Sequence, residues 1–272
     1  MRIFHNCLKG KHLESGKSKI QYILNKKVSV EHIMPKYLFH LGHCPDLSHA
    51  EILSVNDLYN KPFFNVHREN EVLLAECDSL ERALPVCEEL GGTIRLCEVI
   101  GEEDRLDIPA LTAEDWFRIL IAQDIPTLMP NPEKRPLFGI SMLSTEKNVR
   151  QEMEILQETA SKLKDFFKKQ SSGSRFVLPQ PDTKIPCLSG AQVIKNKLLT
   201  NGLELILAYG EHTLKIAVTV WIQGYEEFSK RDYGRPQRDP KSGMLPPKLA
   251  RMMINLARTD QTHTILDPFC GS

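Results

Sequence analysis

The chain of 272 residues has no apolar run approaching the ~20 residues that carry a helix across a bilayer. Its basic N-terminus lacks the apolar region and cleavage site of a signal peptide, so a cytoplasmic protein is expected. The seven cysteines include no C-x-x-C pair, which removes the close ligand spacing of a structural zinc site and leaves free thiols in a reducing compartment as the expectation. His40, His43 and Cys44 stand near one another, but no fourth ligand is close in sequence, so no metal is expected there. Net charge is also missing, with 35 basic and 35 acidic residues, which excludes a uniformly charged surface but not a local patch.

The balance hides a segregation. Residues 38–120 carry 6 basic against 17 acidic residues, whereas residues 134–200 carry 12 against 6. Residues 1–37 add 8 basic against 2 acidic residues, so a basic arm touching RNA stays open, but a nucleic-acid contact is expected first on the second stretch, on Lys162, Lys168, Lys169, Arg175, Lys184, Lys195 and Lys197. Lysines in the last turn of a helix also complement its dipole, so part of this group has a purely structural use.

Residues 1–33 are lysine-rich without a core pattern, and read as a disordered basic arm or a misassigned start. From Met34 the pattern sharpens. Tyr37–Gly42 reads as a strand, a helix opens near Leu47 with Asp46 or Ser48 as cap, and Phe64–Val66 and Glu71–Glu76 read as strands. Ser79 caps a second helix that stops at Gly91-Gly92, and Ile94–Ile100 alternates like a half-buried strand. Two β-α-β passes predict a ferredoxin-like unit over 34–133. Trp116 sits on a short helix, where a core position is favoured over a base-stacking one. A Pro-rich loop through Pro126, Pro130, Pro132 and Pro136 marks a seam.

Beyond it, Pro136–Leu143 reads as a strand and Asn148–Gln170 as the longest helix. Val149, Met153, Leu156, Ala160, Leu163 and Phe167 give that helix one apolar stripe. Phe176–Leu178 is a strand, Ser189 starts a short helix, and Leu203–Tyr209 and Leu214–Ile222 form a hairpin. Residues 226–246 read as a linker. A helix follows from Pro247 or Lys248, with Leu249, Met252, Met253 and Leu256 on its apolar face. Thr264–Leu266 reads as a buried strand that runs into Asp267-Pro268-Phe269-Cys270-Gly271-Ser272. Ligands of open α/β sheets bind at such strand ends, where a glycine admits close approach.

That last hexapeptide resembles the first cofactor motif of S-adenosylmethionine-dependent methyltransferases acting on exocyclic amines of nucleic-acid bases. The preceding Arg231-Asp232-Tyr233-Gly234-Arg235-Pro236 and Gly243 to Ala257 resemble the link into the catalytic domain of THUMP-domain-containing tRNA guanine-N2-methyltransferases. The order of elements over 134–225 resembles a THUMP RNA-binding domain. The resemblance implies an α+β chain: a ferredoxin-like unit, a THUMP-like domain at 134–225, a linker, and the truncated start of a Rossmann-like methyltransferase domain at 247–272. It implies S-adenosylmethionine against Pro246, Leu249, Asp267, Pro268, Phe269, Cys270, Gly271 and Ser272, with tRNA as partner. The family's amine-gripping motif, of the type Asp/Asn-Pro-Pro-Tyr, does not occur, and Asp182-Thr183 and Asp239-Pro240 are misplaced lookalikes. No catalytic residue is therefore assigned, and the 272 residues alone are expected to be inactive. A stand-alone RNA-binding protein and a fragment of a DNA amino-methyltransferase are the alternatives.

Overall fold

The computed structural model describes residues 34–272 except residues 70, 105–110, 130–134, 144–147, 171–172, 182, 210–212, 235–244, 258–261, 263 and 267–272. The expected arm at 1–33 and the hexapeptide Asp267 to Ser272 lie outside the described residues.

The first six elements are β1 (Lys36–Leu41), α1 (Pro45–Leu58), β2 (Phe63–Glu69), β3 (Val72–Cys77), α2 (Leu80–Glu89) and β4 (Thr93–Asp104). Helix α1 begins two residues before the expected start. Pro45 takes the first turn, where a missing N–H does no harm, and Cys44 rather than Asp46 or Ser48 is the capping residue. Ser48 is inside the helix and donates to the carbonyls of Cys44 and Gly92 instead.

The remaining elements are α3 (Ala113–Ala122), α4 (Ile125–Leu128), β5 (Leu137–Leu143), α5 (Val149–Gln170), β6 (Arg175–Val177), α6 (Gly190–Lys195), β7 (Leu203–Tyr209), β8 (Thr213–Ile222), α7 (Tyr225–Tyr233) and α8 (Pro247–Leu256). Capping boxes start α3, between Thr112 and Asp115, and α6, between Ser189 and Gln192. The expected linker opens with α7, a highly charged helix with no buried residue.

All eight strands form one sheet, in the order β2-β3-β1-β4-β8-β7-β5-β6. The first four strands pair antiparallel, β7 pairs antiparallel with β8, and β5 runs parallel to both β7 and β6. The long β4 joins the two halves by pairing antiparallel with β8 from Arg95–Ile222 to Asp104–Thr213. The sheet therefore crosses the expected seam at 133/134.

Alternation along the strands sorts the core onto two faces. Phe39, Leu41, Leu73 and Leu96 pack under α1 and α2 with Ile52, Val55 and Val86. On the other half, Phe138, Ile140, Leu205 and Leu207 pack with Trp116 of α3 and Leu156, Leu163 and Phe167 of the α5 stripe. Trp116 is fully buried, and its Nε1–H donates to the Tyr209 hydroxyl at 3.2 Å. The intervening strand positions, among them Leu38, Cys97, Ile206, Ala208 and Ala217, form a third cluster with Leu143 and Cys187. Strand β7 is thus buried on both sides, which explains its nearly unbroken apolar sequence.

The expected strand Thr264–Leu266 is not one. It follows α8 as anticipated, but it is irregular, with Ile265 52% and Leu266 83% exposed. A strand is held by a ladder neighbour, and no described strand lies beside it. No helix of the described residues is long and apolar enough to cross a membrane.

Candidate functional site

Helix α8 carries the expected start of the cofactor region, and it is bolted to the first half of the sheet. Pro246 is its exposed capping residue, its carbonyl accepting from Ala250 N–H at 2.9 Å, and Leu249 is half-buried in the first turn. Farther along, Met252 and Asn255 are buried. Asn255 Nδ2 donates to Glu51 Oε1 at 2.7 Å and to the Glu89 carbonyl at 2.8 Å, while Ser54 Oγ donates to the Asn255 carbonyl at 2.6 Å. The Glu51 carboxylate also accepts from Gly91 N–H at 2.7 Å and Gly92 N–H at 2.8 Å. Burial raises the Glu51 pKa, opposed by those N–H donors and by Asn255. Arg251 pairs with Glu89 at the rim. The approach is close because Gly91 and Gly92 have no side chains. A Cβ on Gly91 would stand 2.5 Å from the Lys248 carbonyl oxygen, and one on Gly92 would stand 2.5 Å from Met252 Cε.

Beside this contact lies a cavity of about 420 Å³, lined by the ends of β1, β4 and β8, the loop 185–189, the first turn of α6, Tyr225 of α7 and Lys248 of α8. A buried ion pair backs it. Arg95 and Glu204, 1% and 0% exposed, pair directly, and the Arg95 guanidinium also donates to the Leu188 carbonyl. Ser141 Oγ at 2.7 Å and Thr219 Oγ1 at 2.6 Å complete the Glu204 carboxylate, and Ser141 Oγ accepts from Leu188 N–H at 2.9 Å. Burial opposes the charge of Arg95, but Cys187 and Glu204 beside it hold its pKa above the usual value. His40, buried on the same face, has its pKa pushed down to about 3, by burial first and by Arg95 second, so its ring is neutral at physiological pH. Lys248 lies over the Phe228 ring at 5.6 Å from the centroid, and desolvation lowers its pKa.

The basic residues singled out in the sequence separate into groups. Lys162 is engaged, its ammonium 3.0 Å from Glu114 and 3.7 Å from Glu158, and the hydrogen bond to Glu114 raises its pKa. Lys168 and Lys169 are exposed in the last turn of α5, and Lys184 is exposed in the loop after β6. Arg175, at the sheet edge, reaches Asn196 Oδ1 at 3.4 Å, which places it beside the exposed Lys195 and Lys197. Lys164 joins this edge through the Phe176 ring, 5.8 Å from the centroid.

Lys197 occupies a special position. Leu198 N–H donates to the Val193 carbonyl and Lys197 N–H to the Ile194 carbonyl, which is the bonding of a Schellman cap, and Lys197 takes φ 56° where glycine is usual.

Sequence reasoning missed Glu51, Asn255, Arg95 and Glu204, and weighed His40 only as a metal ligand. The one signal available was an acid inside the otherwise apolar run Leu203–Tyr209. Asp267, Pro268, Phe269, Cys270, Gly271 and Ser272 lie outside the described residues.

Comparison with known proteins bears on the α8 end of this arrangement. Residues 235–272 match the RMKL-like methyltransferase domain. A stretch of 63 residues is 41% identical to the tRNA (guanine(10)-N2)-dimethyltransferase of Methanocaldococcus jannaschii, covering 23% of this chain and 17% of that protein. Among solved structures, TrmN from Thermus thermophilus aligns over 82% of this chain and 54% of its own, with TM-score 0.49 and 14% identity. A protein from Listeria monocytogenes described as a predicted N6-adenine-specific DNA methylase aligns over 81% and 47%, with TM-score 0.44 and 12% identity. The chain thus spans about half the length of these solved proteins and under a fifth of the curated relative.

Proposed function

We propose that the chain carries the tRNA-binding region and first cofactor motif of an S-adenosylmethionine-dependent tRNA guanine-N2-methyltransferase. The observation that carries this reading is the 63-residue match to a tRNA guanine-N2-dimethyltransferase, supported by the methyltransferase-domain match over 235–272. On this reading the antiparallel β1-α1-β2-β3-α2-β4 unit is the ferredoxin-like part and the elements from β5 to β8 are the THUMP-like part.

S-adenosylmethionine supplies a methyl group on a sulfonium. Of the residues assigned to it, Pro246 and Leu249 stand at the start of α8, and Asp267 to Ser272 lie outside the described residues. What the described residues do is position. The exocyclic amine of guanine is a poor nucleophile, and holding it in line with the methyl group is where most of the rate gain lies. A helix fixed by Asn255, Glu51 and the Gly91-Gly92 turn gives whatever follows it a defined orientation to the RNA-gripping edge. That edge is Arg175, Lys195 and Lys197, joined in the RNA assignment by Lys168 and Lys169 in the last turn of α5 and Lys184 in the loop after β6, whose charges would meet phosphates.

The purified 272-residue chain is expected to bind tRNA and, without an Asp/Asn-Pro-Pro-Tyr motif, to transfer no methyl group. Charge reversal at Lys168, Lys169, Lys195 and Lys197 together should weaken tRNA binding. Each lost phosphate contact should also flatten the log–log salt slope by roughly 0.7–0.9. Unchanged affinity and slope would reject the assigned edge, and methyl transfer from labelled S-adenosylmethionine by this chain would reject the division of labour.

A further inference from the structure

The cavity between sheet, loop 185–189 and α8 is lined by polar groups that the protein itself does not satisfy. Arg95 and His40 line it, and Arg95 Nε and His40 Nδ1 are buried without a hydrogen-bond partner. Leaving a buried donor or acceptor unpaired costs about 1–3 kcal/mol, and such atoms are uncommon unless something else meets them. No Asp or Glu is among the described lining residues, while Arg95 and Lys248 are. Glu204 takes only part of the guanidinium, which leaves Nε–H to donate. The wall thus offers hydrogen-bond donors, and Lys248 a positive charge, to a ligand bearing oxygens. Most of the rest of the lining, including Ile94, Ile185, Leu188, Ile222 and Tyr225, is apolar or aromatic, with Ser189 and Gln223 as further polar groups. The volume of about 420 Å³ is far larger than a bare phosphate needs and falls within the ~300–1,000 Å³ of small-molecule sites.

We propose that this cavity is a binding site for one nucleotide, its base against the isoleucines and Tyr225 and its polar oxygens on Arg95 and Lys248. Neutral His40, able to donate or accept, meets the edge of the base. The choice of a nucleotide among organic anions rests on the RNA reading above. A free mononucleotide and an unpaired nucleotide of a bound RNA share this chemistry.

Calorimetry of the full chain with AMP, GMP, CMP and UMP, and fluorescence anisotropy with a tRNA transcript, test the site. Both are run on the unaltered protein, on Ala191→Trp, which fills the cavity from the first turn of α6, and on Lys248→Met, which removes the charge and nearly keeps the length of the side chain. Thermal melting by circular dichroism accompanies each variant. The expected result is at least one mononucleotide bound, or tRNA bound, with affinity at least tenfold weaker in both variants at an unchanged melting temperature. Loss confined to mononucleotides identifies a free ligand, and loss that extends to tRNA identifies an RNA nucleotide. No mononucleotide bound at millimolar concentration, with tRNA affinity the same in all three proteins, overturns the site while leaving the RNA reading standing. Mononucleotide binding by a protein that binds no tRNA keeps the site and overturns the RNA reading.

Discussion

Glu51 and Glu204 are both wholly buried carboxylates, and their surroundings differ in what they leave over. Around Glu51 the donors close on one another. Gly91 and Gly92 N–H and Asn255 Nδ2 all point at the carboxylate, and Asn255 spends its second bond on the Glu89 carbonyl. Around Glu204 the carboxylate is just as well satisfied, by Arg95, Ser141 and Thr219, but its partner is not, since Arg95 Nε and the nearby His40 Nδ1 find nothing. The first arrangement joins two pieces of protein and has no room for anything else. The second is half of an interaction, beside an open cavity. A closed polar network reads as architecture, whereas an open one reads as a place for a ligand.

The sharpest way to separate the two is to remove each acid. Glu204→Ala strands the Arg95 charge in the core and should destabilise the protein by about 3–5 kcal/mol, measured by urea unfolding. The double variant Arg95→Leu with Glu204→Leu should recover much of that loss, because an apolar pair of similar size needs no solvation. A double variant as unstable as the single one would mean that the pair is not what Glu204 serves. Glu51→Gln should cost less, about 1–3 kcal/mol. Its amide puts N–H groups opposite a glycine N–H or Asn255 Nδ2, and the accompanying loss of α8 docking should expose the Met252 region to proteolysis.

Acid sharpens the comparison next. His40 has a folded pKa near 3 against an ordinary 6.5, so between these values the unfolded chain takes up a proton that the folded one refuses. Stability should therefore fall as pH drops through that window, by at most about 1.4 kcal/mol per pH unit from this residue. His40→Gln should flatten the slope relative to the unaltered protein, and parallel pH profiles would contradict the assignment. The smallest effect is at Lys197. Replacing it by glycine relieves a left-handed backbone and should stabilise the fold by roughly 1 kcal/mol, while tRNA affinity drops with the lost charge. A variant that gains stability and keeps its affinity would remove Lys197 from the RNA edge.

The parts of this fold legible in sequence were those written in a single local period. The six-residue stripe of α5, the β7–β8 hairpin and the Ser189 helix start follow from spacing and capping chemistry alone, while Ser79 takes the expected N-cap position without a side-chain cap bond. The β4–β8 pairing that fuses the sheet is a contact between residues more than a hundred positions apart, and neither strand marks its partner. Arg95, Glu204, Glu51 and Asn255 were hidden for the opposite reason. Local pattern assigns charged and amide side chains to the surface, and only the tertiary partner makes their burial affordable. Thr264–Leu266 shows a third case, an apolar triplet whose burial needs a neighbour that the described residues do not include.

The unbroken sheet carries a consequence for scale. From β1, beneath the helices that clamp α8, to β6, where Arg175 marks the rim, there are five interstrand steps, or roughly 24 Å at the usual spacing. Hydrogen-bonded ladders do not stretch, so the two ends behave like the jaws of a fixed caliper. On the proposed RNA reading, a polynucleotide held at one jaw would meet the other at a set remove along its length, and selection by distance would need no reading of bases.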